Sequence, residues 1–194
     1  MKTGILVTSA LAFFIFAAQG CTLKPQDLHI DPEVKYKEQS VGAGNPIGLR
    51  VSDERSDKKL GEVGDPDRKM VPVTVEEDFA PAIYERVKQA LTALGFAVEP
   101  YSDTMERTLD VGVRKLALSS VKKPLTFDTE LRAEVGAHAV NSTGNYERQF
   151  NVRTRMESAA PPYQKESAQL VNTALSQALE DLLSDEQLLA LLAK

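Results

Sequence analysis

Chemistry-bearing side chains are scarce in this chain. Its 194 residues include one Cys, two His and no Trp. A single Cys excludes an internal disulfide, so cysteine usage by itself does not reveal the redox compartment. Two histidines leave little room for the usual general base or for an imidazole-rich metal site. The GxSxG, HExxH, GxxxxGK[ST] and strand-following GxGxxG signatures are all absent. The chain also lacks an excess of basic charge: its formal net charge is −5, and nucleic acid is not an expected partner without a concentrated basic surface. Charged residues make up 26% and hydrophobic residues 42% of the chain, the balance of a chain that folds around one ordinary core.

The lone cysteine, Cys21, stands where an N-terminal apolar run stops. Lys2 gives a positive start, and Ile5 to Ala18 is apolar except for Thr8 and Ser9. That run is shorter than the about 20 residues needed to cross a bilayer, and it suits the core of a signal peptide. Ala18 and Gly20 put small residues at the minus-three and minus-one positions before Cys21. The arrangement resembles a bacterial lipobox, with Ala18 in place of the favoured Leu and Gln19 as a large minus-two residue. The resemblance implies that residues 1–20 are a signal peptide cut by signal peptidase II between Gly20 and Cys21. It also implies that Cys21 carries an S-diacylglycerol thioether and an N-palmitoyl group, the only cofactor-like group expected. Thr22 replaces the Asp that usually retains lipoproteins at the inner membrane, so the implied location is the periplasmic face of the outer membrane.

Residues 21–45 mix prolines and scattered charges and end in Gly-Ala-Gly, which reads as a lipidated tether. As a flexible coil, such a segment reaches roughly 25 to 30 Å. A single domain is expected over 46–194. Ile47, Leu49 and Val51 alternate as in a half-buried strand, and so do Val71, Val73 and Val75, with Pro72 suggesting a short or edge strand. Phe79, Ile83, Val87, Leu91 and Leu94 form one helical stripe, with Asp78 as N-cap, Pro81 in the first turn and Gly95 as C-terminal cap. Leu109, Val111 and Val113 alternate, but Leu116 and Leu118 fall out of phase, which predicts a bulge at Arg114–Lys115. Two long alternations then flank the turn Asn-Ser-Thr-Gly-Asn at 141–145, with Val135 expected opposite Val152 and Glu134 opposite Arg153. Leu170 to Leu183 reads as a helix, and Ser184 with Gln187 as the capping box of a shorter one. The expected fold is α+β: a two-layer sandwich of a mainly antiparallel sheet, with a long helix after the second strand and C-terminal helices packed on one face.

Few residues invite a functional reading. His29 lies in the tether without a ligand partner at metal spacing, and His138 shares the polar side of a strand with Arg132 and Glu134. The carboxylate pairs Asp53/Glu54, Asp65/Asp67 and Glu76–Asp78 read as caps and solvated loops in so acidic a chain. The segment VSDERSDKKLG crowds Asp53, Arg55, Asp57, Lys58 and Lys59 into one turn before Gly61. Asp53 can accept the turn's N–H groups or pair with Arg55, and Gly61 can supply a positive φ; the turn serves structure or partner recognition. The leucine-rich end LLSDEQLLALLAK suits core packing, with a partner-binding helix as the alternative.

Val51, Asp53, Arg55, Leu60 and Gly61, the helix ending LTALGF, the later strand pair and the lipobox together resemble the YajG-type family of uncharacterised proteobacterial lipoproteins. The resemblance implies a periplasm-facing lipoprotein of a family with no established catalytic activity. The functional expectation is a non-enzymatic accessory module that meets the membrane through its lipid and docks on an envelope protein. The alternative is a small-molecule or lipid-binding carrier or sensor with a cavity between sheet and helices, and an enzyme comes behind both.

Overall fold

The computed structural model describes residues 23–36, 40–76 and 78–194. Its centre is β6 (Thr108–Lys122), where apolar residues at every second position meet a partner on both sides. Along one edge β6 pairs antiparallel over its whole length with β7 (Phe127–Asn141), which pairs antiparallel with β8 (Gly144–Ser158). Along the other edge two strands share it in succession. β2 (Pro46–Asp53) runs parallel to the first half, and β3 (Lys59–Asp65) runs parallel to the second. Beyond β2 lies β5 (Ala97–Pro100), and beyond β3 lie β4 (Lys69–Val75) and then β1 (Gln26–Leu28).

The sheet is therefore mixed, not mainly antiparallel: four of its strand pairings are parallel. The helix expected after the second strand follows the fourth, because β1 and β3 precede it. It is α1 (Ala80–Ala93), and the longest helix is α2 (Gln164–Leu183), followed by α3 (Glu186–Ala193). The supposed tether is also corrected in part. Leu28 and Ile30 are buried in the core, β1 extends the sheet, and the Asp31 and Lys35 N–H groups donate to Asn172 and Glu180 of α2. The folded unit thus begins well before residue 46, and β4 lies between two neighbours. Pro72 is tolerated because the β1 ladder starts only at Val73.

Local signals hold where they are strongest. Gly95 has φ +89, and the amides of Gly95 and Phe96 bond back to the carbonyls of Thr92 and Leu91, closing α1 as a Schellman motif. The N-cap is Phe79 rather than Asp78, with no side-chain bond. The bulge falls between Val113 and Lys115, so Val113 and Leu116 both reach the covered face. Asp185, not Ser184, caps α3, accepting from the Leu188 amide at 2.9 Å.

The β7–β8 register differs from expectation by two residues: Val135 faces Phe150, and Glu134 faces Asn151. The Asn141 side chain decides this. Its Oδ1 accepts from the Thr143 amide, the Thr143 hydroxyl and the Gly144 amide, which tightens the loop until Asn141 pairs with Gly144.

All three helices cover one face of the sheet. Ala133, Ala137 and Ala139 on β7 share one core with Ala174 and Ala178 on α2 and with Leu188 and Leu192 on α3, all fully or almost fully buried, and α2 and α3 both pack on β7. Small residues on both layers let the helices approach closely, and burial of this apolar area, worth about 25 cal/mol per Å², is what holds them there. Among the described residues no helix covers the other face of β6, β7 and β8.

Candidate functional site

The turn singled out in the sequence sits where the sheet divides. β2 leaves the β6 edge at Asp53, opposite Val113, and β3 joins it at Gly61, opposite Leu118. The β6 bulge lies at the same level. Asp53 Oδ1 accepts from the Arg55 amide at 3.2 Å and Arg55 Nε at 2.8 Å, and its Oδ2 accepts from Arg55 at 3.0 Å and Lys58 Nζ at 2.6 Å. The Arg55 side chain is only 3% exposed, and its guanidinium stacks on the Phe79 ring at 4.9 Å. Burial pushes the Asp53 carboxyl up, but the donors from Arg55 and Lys58 outweigh it and lower its pKa from 3.8 to about 2. Gly61 has φ +155, and a Cβ there would lie 2.0 Å from the Leu118 carbonyl oxygen. Asp53, Arg55 and Gly61 therefore form a brace across the split in the sheet, with Arg55 buried and Asp53 and Gly61 half-buried.

The uncovered face supplies the accessible chemistry. Gly112 and Gly136 pair across β6 and β7 and floor a groove of about 250 Å³. Glu54 lies over Gly112 and Arg114 over Gly136, where a Cβ would come within 2.3 and 2.5 Å of those side chains. Arg114 bridges Glu54 at 3.2 Å and Glu147 at 3.1 Å, so one ion-pair chain runs flat from the end of β2 to β8. Arg50 donates to Asp110 at 3.0 Å and stacks on Tyr101 at 4.3 Å.

Farther along, Glu130 is gripped by Arg155 at 2.7 Å, Arg132 at 2.7 Å and Arg153 at 3.4 Å. Hydrogen bonds from Arg155 and then Arg132 lower its pKa from 4.5 to about 2. These arginines stay mostly exposed, and so retain donors for an incoming carboxylate or phosphate. Among the described residues β8 pairs only with β7, which leaves the outer edge of a 15-residue strand open beside this face.

Sequence reasoning missed this face because its parts come from four strands. The signal that was available is an isolated Gly within each of two strand patterns, Gly112 and Gly136, which marks a close approach. His138 is exposed on the same face, paired across the strands with Asp110 and Glu147. His29 is exposed and hydrogen-bonds Glu76 at 2.8 Å, which raises its pKa. Among the described residues no group of three or more His, Cys, Asp or Glu is placed to hold a metal ion. Between sheet and helices the space is filled by side chains at or near zero exposure. The larger concavities are open, polar grooves along the outside of α2, as at Asp31, Lys35, Asn172 and Glu180. The leucines of α3 divide, with Leu188 and Leu192 fully buried and Leu189 and Leu191 half-buried. Gly20 and Cys21 lie outside the described residues.

No curated protein matches the chain. Among solved structures, XCC0632 from Xanthomonas campestris, of family DUF330, aligns with a TM-score of 0.51 at 14% identity, over 87% of this chain and 94% of that one. A hemagglutinin homolog from Helicobacter pylori aligns with a TM-score of 0.39 at 8% identity, over 80% of this chain and 90% of that one. The first likeness supports the fold and no more. Among the described residues no helix is long and apolar enough to cross a membrane. The profile of a family described as uncharacterised lipoprotein matches residues 32–193, from the segment before β2 to the end of α3, and the chain belongs to that family.

Proposed function

We propose that the protein is an outer-membrane lipoprotein, anchored through Cys21, whose periplasmic domain binds another envelope component without catalysing a reaction. The anchor is supported by membership of a lipoprotein family and by the position of the only Cys, with Thr22 behind it. The observation that carries the binding half is the uncovered face of β6, β7 and β8. Three 15-residue strands present fixed ion pairs, a glycine-floored groove and an open strand edge to solvent. A partner strand added at β8 would satisfy the free edge and meet the arginines beside it. The filled interior between sheet and helices weighs against the carrier reading.

Two experiments test the halves separately. Replacing Cys21 by Ala and fractionating cells tests the anchor: the variant is expected to leave the outer membrane, and retention there would refute lipidation as the tether. Photo-cross-linking groups at Gln149 and Asn151 on the open face, with Gln177 on the outer side of α2 as control, test the surface. Adducts of one defined mass are expected at the first two positions in envelopes. Equal labelling at all three would refute a specific face.

A further inference from the structure

The unassigned apolar surface of this molecule is gathered at one end. Of the four large hydrophobic residues that are exposed among the described residues, three lie there: Leu125 at 88%, Val121 at 59% and Tyr163 at 45%. Leu125 tops the β6–β7 hairpin, in a turn closed by the Lys123 amide donating to the Thr126 carbonyl at 2.7 Å. The loop holding Tyr163 comes off the adjacent end of β8, where Ser158 pairs with Phe127.

The start of β1 lies at the same end. Lys122 of the hairpin binds Asp65 and Asp67 of the β3–β4 turn at 2.8 Å each. In that turn Lys69 donates to the Leu23 carbonyl at 3.3 Å. Gln26 reaches the Pro162 carbonyl at 2.8 Å, beside Tyr163. Leu23 itself packs against the core. Only Thr22 separates Leu23 from Cys21, two chain steps with a reach of at most about 7 Å, and β1 stands three strand spacings, about 15 Å, from β6.

We infer that this end is a membrane-docking surface: Leu125, with Val121 and Tyr163 around it, enters the headgroup boundary of the bilayer that holds the Cys21 lipid. This rests on the anchor proposed above. The occupant follows from the reach. A lipid attached within about 7 Å of Leu23 cannot hold the domain clear of the membrane, and the surface brought down is the one carrying the exposed Leu, Val and Tyr. An apolar side chain flanked by a tyrosine suits that boundary, where one end of a ring is wet and the other is not. The open face of β6, β7 and β8 then stands upright from the membrane, available to a periplasmic partner.

The chain contains no Trp, so a single introduced indole reports its own surroundings. Full-length protein carrying Leu125→Trp is purified from membranes and reconstituted in phosphatidylethanolamine/phosphatidylglycerol vesicles, some with brominated acyl chains. Ser142→Trp, at the opposite hairpin and a strand length of about 50 Å away, is the control. The expected result is blue-shifted emission for Leu125→Trp, with strongest quenching by bromines about 5–10 Å below the headgroups, and no quenching for Ser142→Trp. Peptide mass at Cys21 and flotation with the vesicles are read on the same samples. Lipid on Cys21 with Leu125→Trp unquenched, or with both variants quenched alike, overturns the docking surface while the anchor stands. No lipid on Cys21 overturns both.

Discussion

Asp53→Asn tests whether the conspicuous turn is a structural brace. The carboxylate accepts four hydrogen bonds, three from Arg55 and one from Lys58. Its pKa is lowered from 3.8 to about 2, so ionisation contributes about 2 kcal/mol to folding at neutral pH. The substitution also leaves Arg55, almost wholly buried, without its counter-ion. Breaking such a pair costs about 3–5 kcal/mol when both partners are deeply enclosed. Since Asp53 keeps some contact with water, a loss of about 2–4 kcal/mol is expected at pH 7.

The sign follows from a carboxyl whose pKa is lower folded than unfolded. Its contribution is fully present above the unfolded value near 3.8 and disappears as pH falls toward the folded value of about 2. Urea unfolding of the chain from residue 22 onward, followed by circular dichroism, measures the gap between wild type and variant. The gap should be constant from neutral pH to about pH 5 and narrow below about pH 4. The double variant Asp53→Asn/Arg55→Met should be more stable than the two single losses added together. A loss under about 0.5 kcal/mol at pH 7, or an equal gap at pH 7 and pH 2.5, would refute the brace.

Other substitutions separate kinds of glycine and cap. Gly61→Ala drives a Cβ into the Leu118 carbonyl and should lower stability by about 1–3 kcal/mol in the same urea assay. Gly136→Ala meets only the end of the Arg114 side chain, which can swing aside, so its cost should stay within about 0.5 kcal/mol while cross-linking at Asn151 weakens. Asp185→Ala removes the N-cap of α3 together with an acceptor for Tyr146 and Arg148, and a loss of about 2 kcal/mol in urea unfolding is expected. Burial pushes the Asp185 carboxyl up, and the Leu188 amide, Tyr146 and Arg148 more than offset this and lower it. The cost of that substitution should therefore also shrink on acidification below the ordinary carboxylate range.

Elements that close on themselves were readable from the chain. The α1 stripe with its Gly95 cap, the β7–β8 hairpin and the β6 bulge each rest on residues near in sequence, so periodicity and turn chemistry sufficed. β3 was not readable, because Leu60 and Val63 are its only large apolar residues and two glycines interrupt it. It is a strand because β4 and β6 offer ladders on both sides. β1 was hidden for the same reason: three residues in a polar segment become a strand only beside Val73 to Val75. The hairpin register turned on Asn141, whose carboxamide bonds outweighed a charge pairing drawn from strand positions alone. The brace residues Asp53, Arg55 and Gly61 could be named in advance, but their task depended on a division of the sheet that only the assembled strands reveal.

That division also sets an order of assembly. β6, β7 and β8 are consecutive antiparallel neighbours and can form as local hairpins, whereas β2 and β3 are parallel to a strand more than fifty residues farther along the chain. Contacts of such separation form late, because the loop must close before any ladder is gained. A chain that emerges from its N-terminus can close the β3–β4 hairpin early, but nothing joins β2 and β3 into one sheet until β6 arrives. The β3–β4 hairpin, with β1 beside it, should therefore be docked onto the rest of the sheet late.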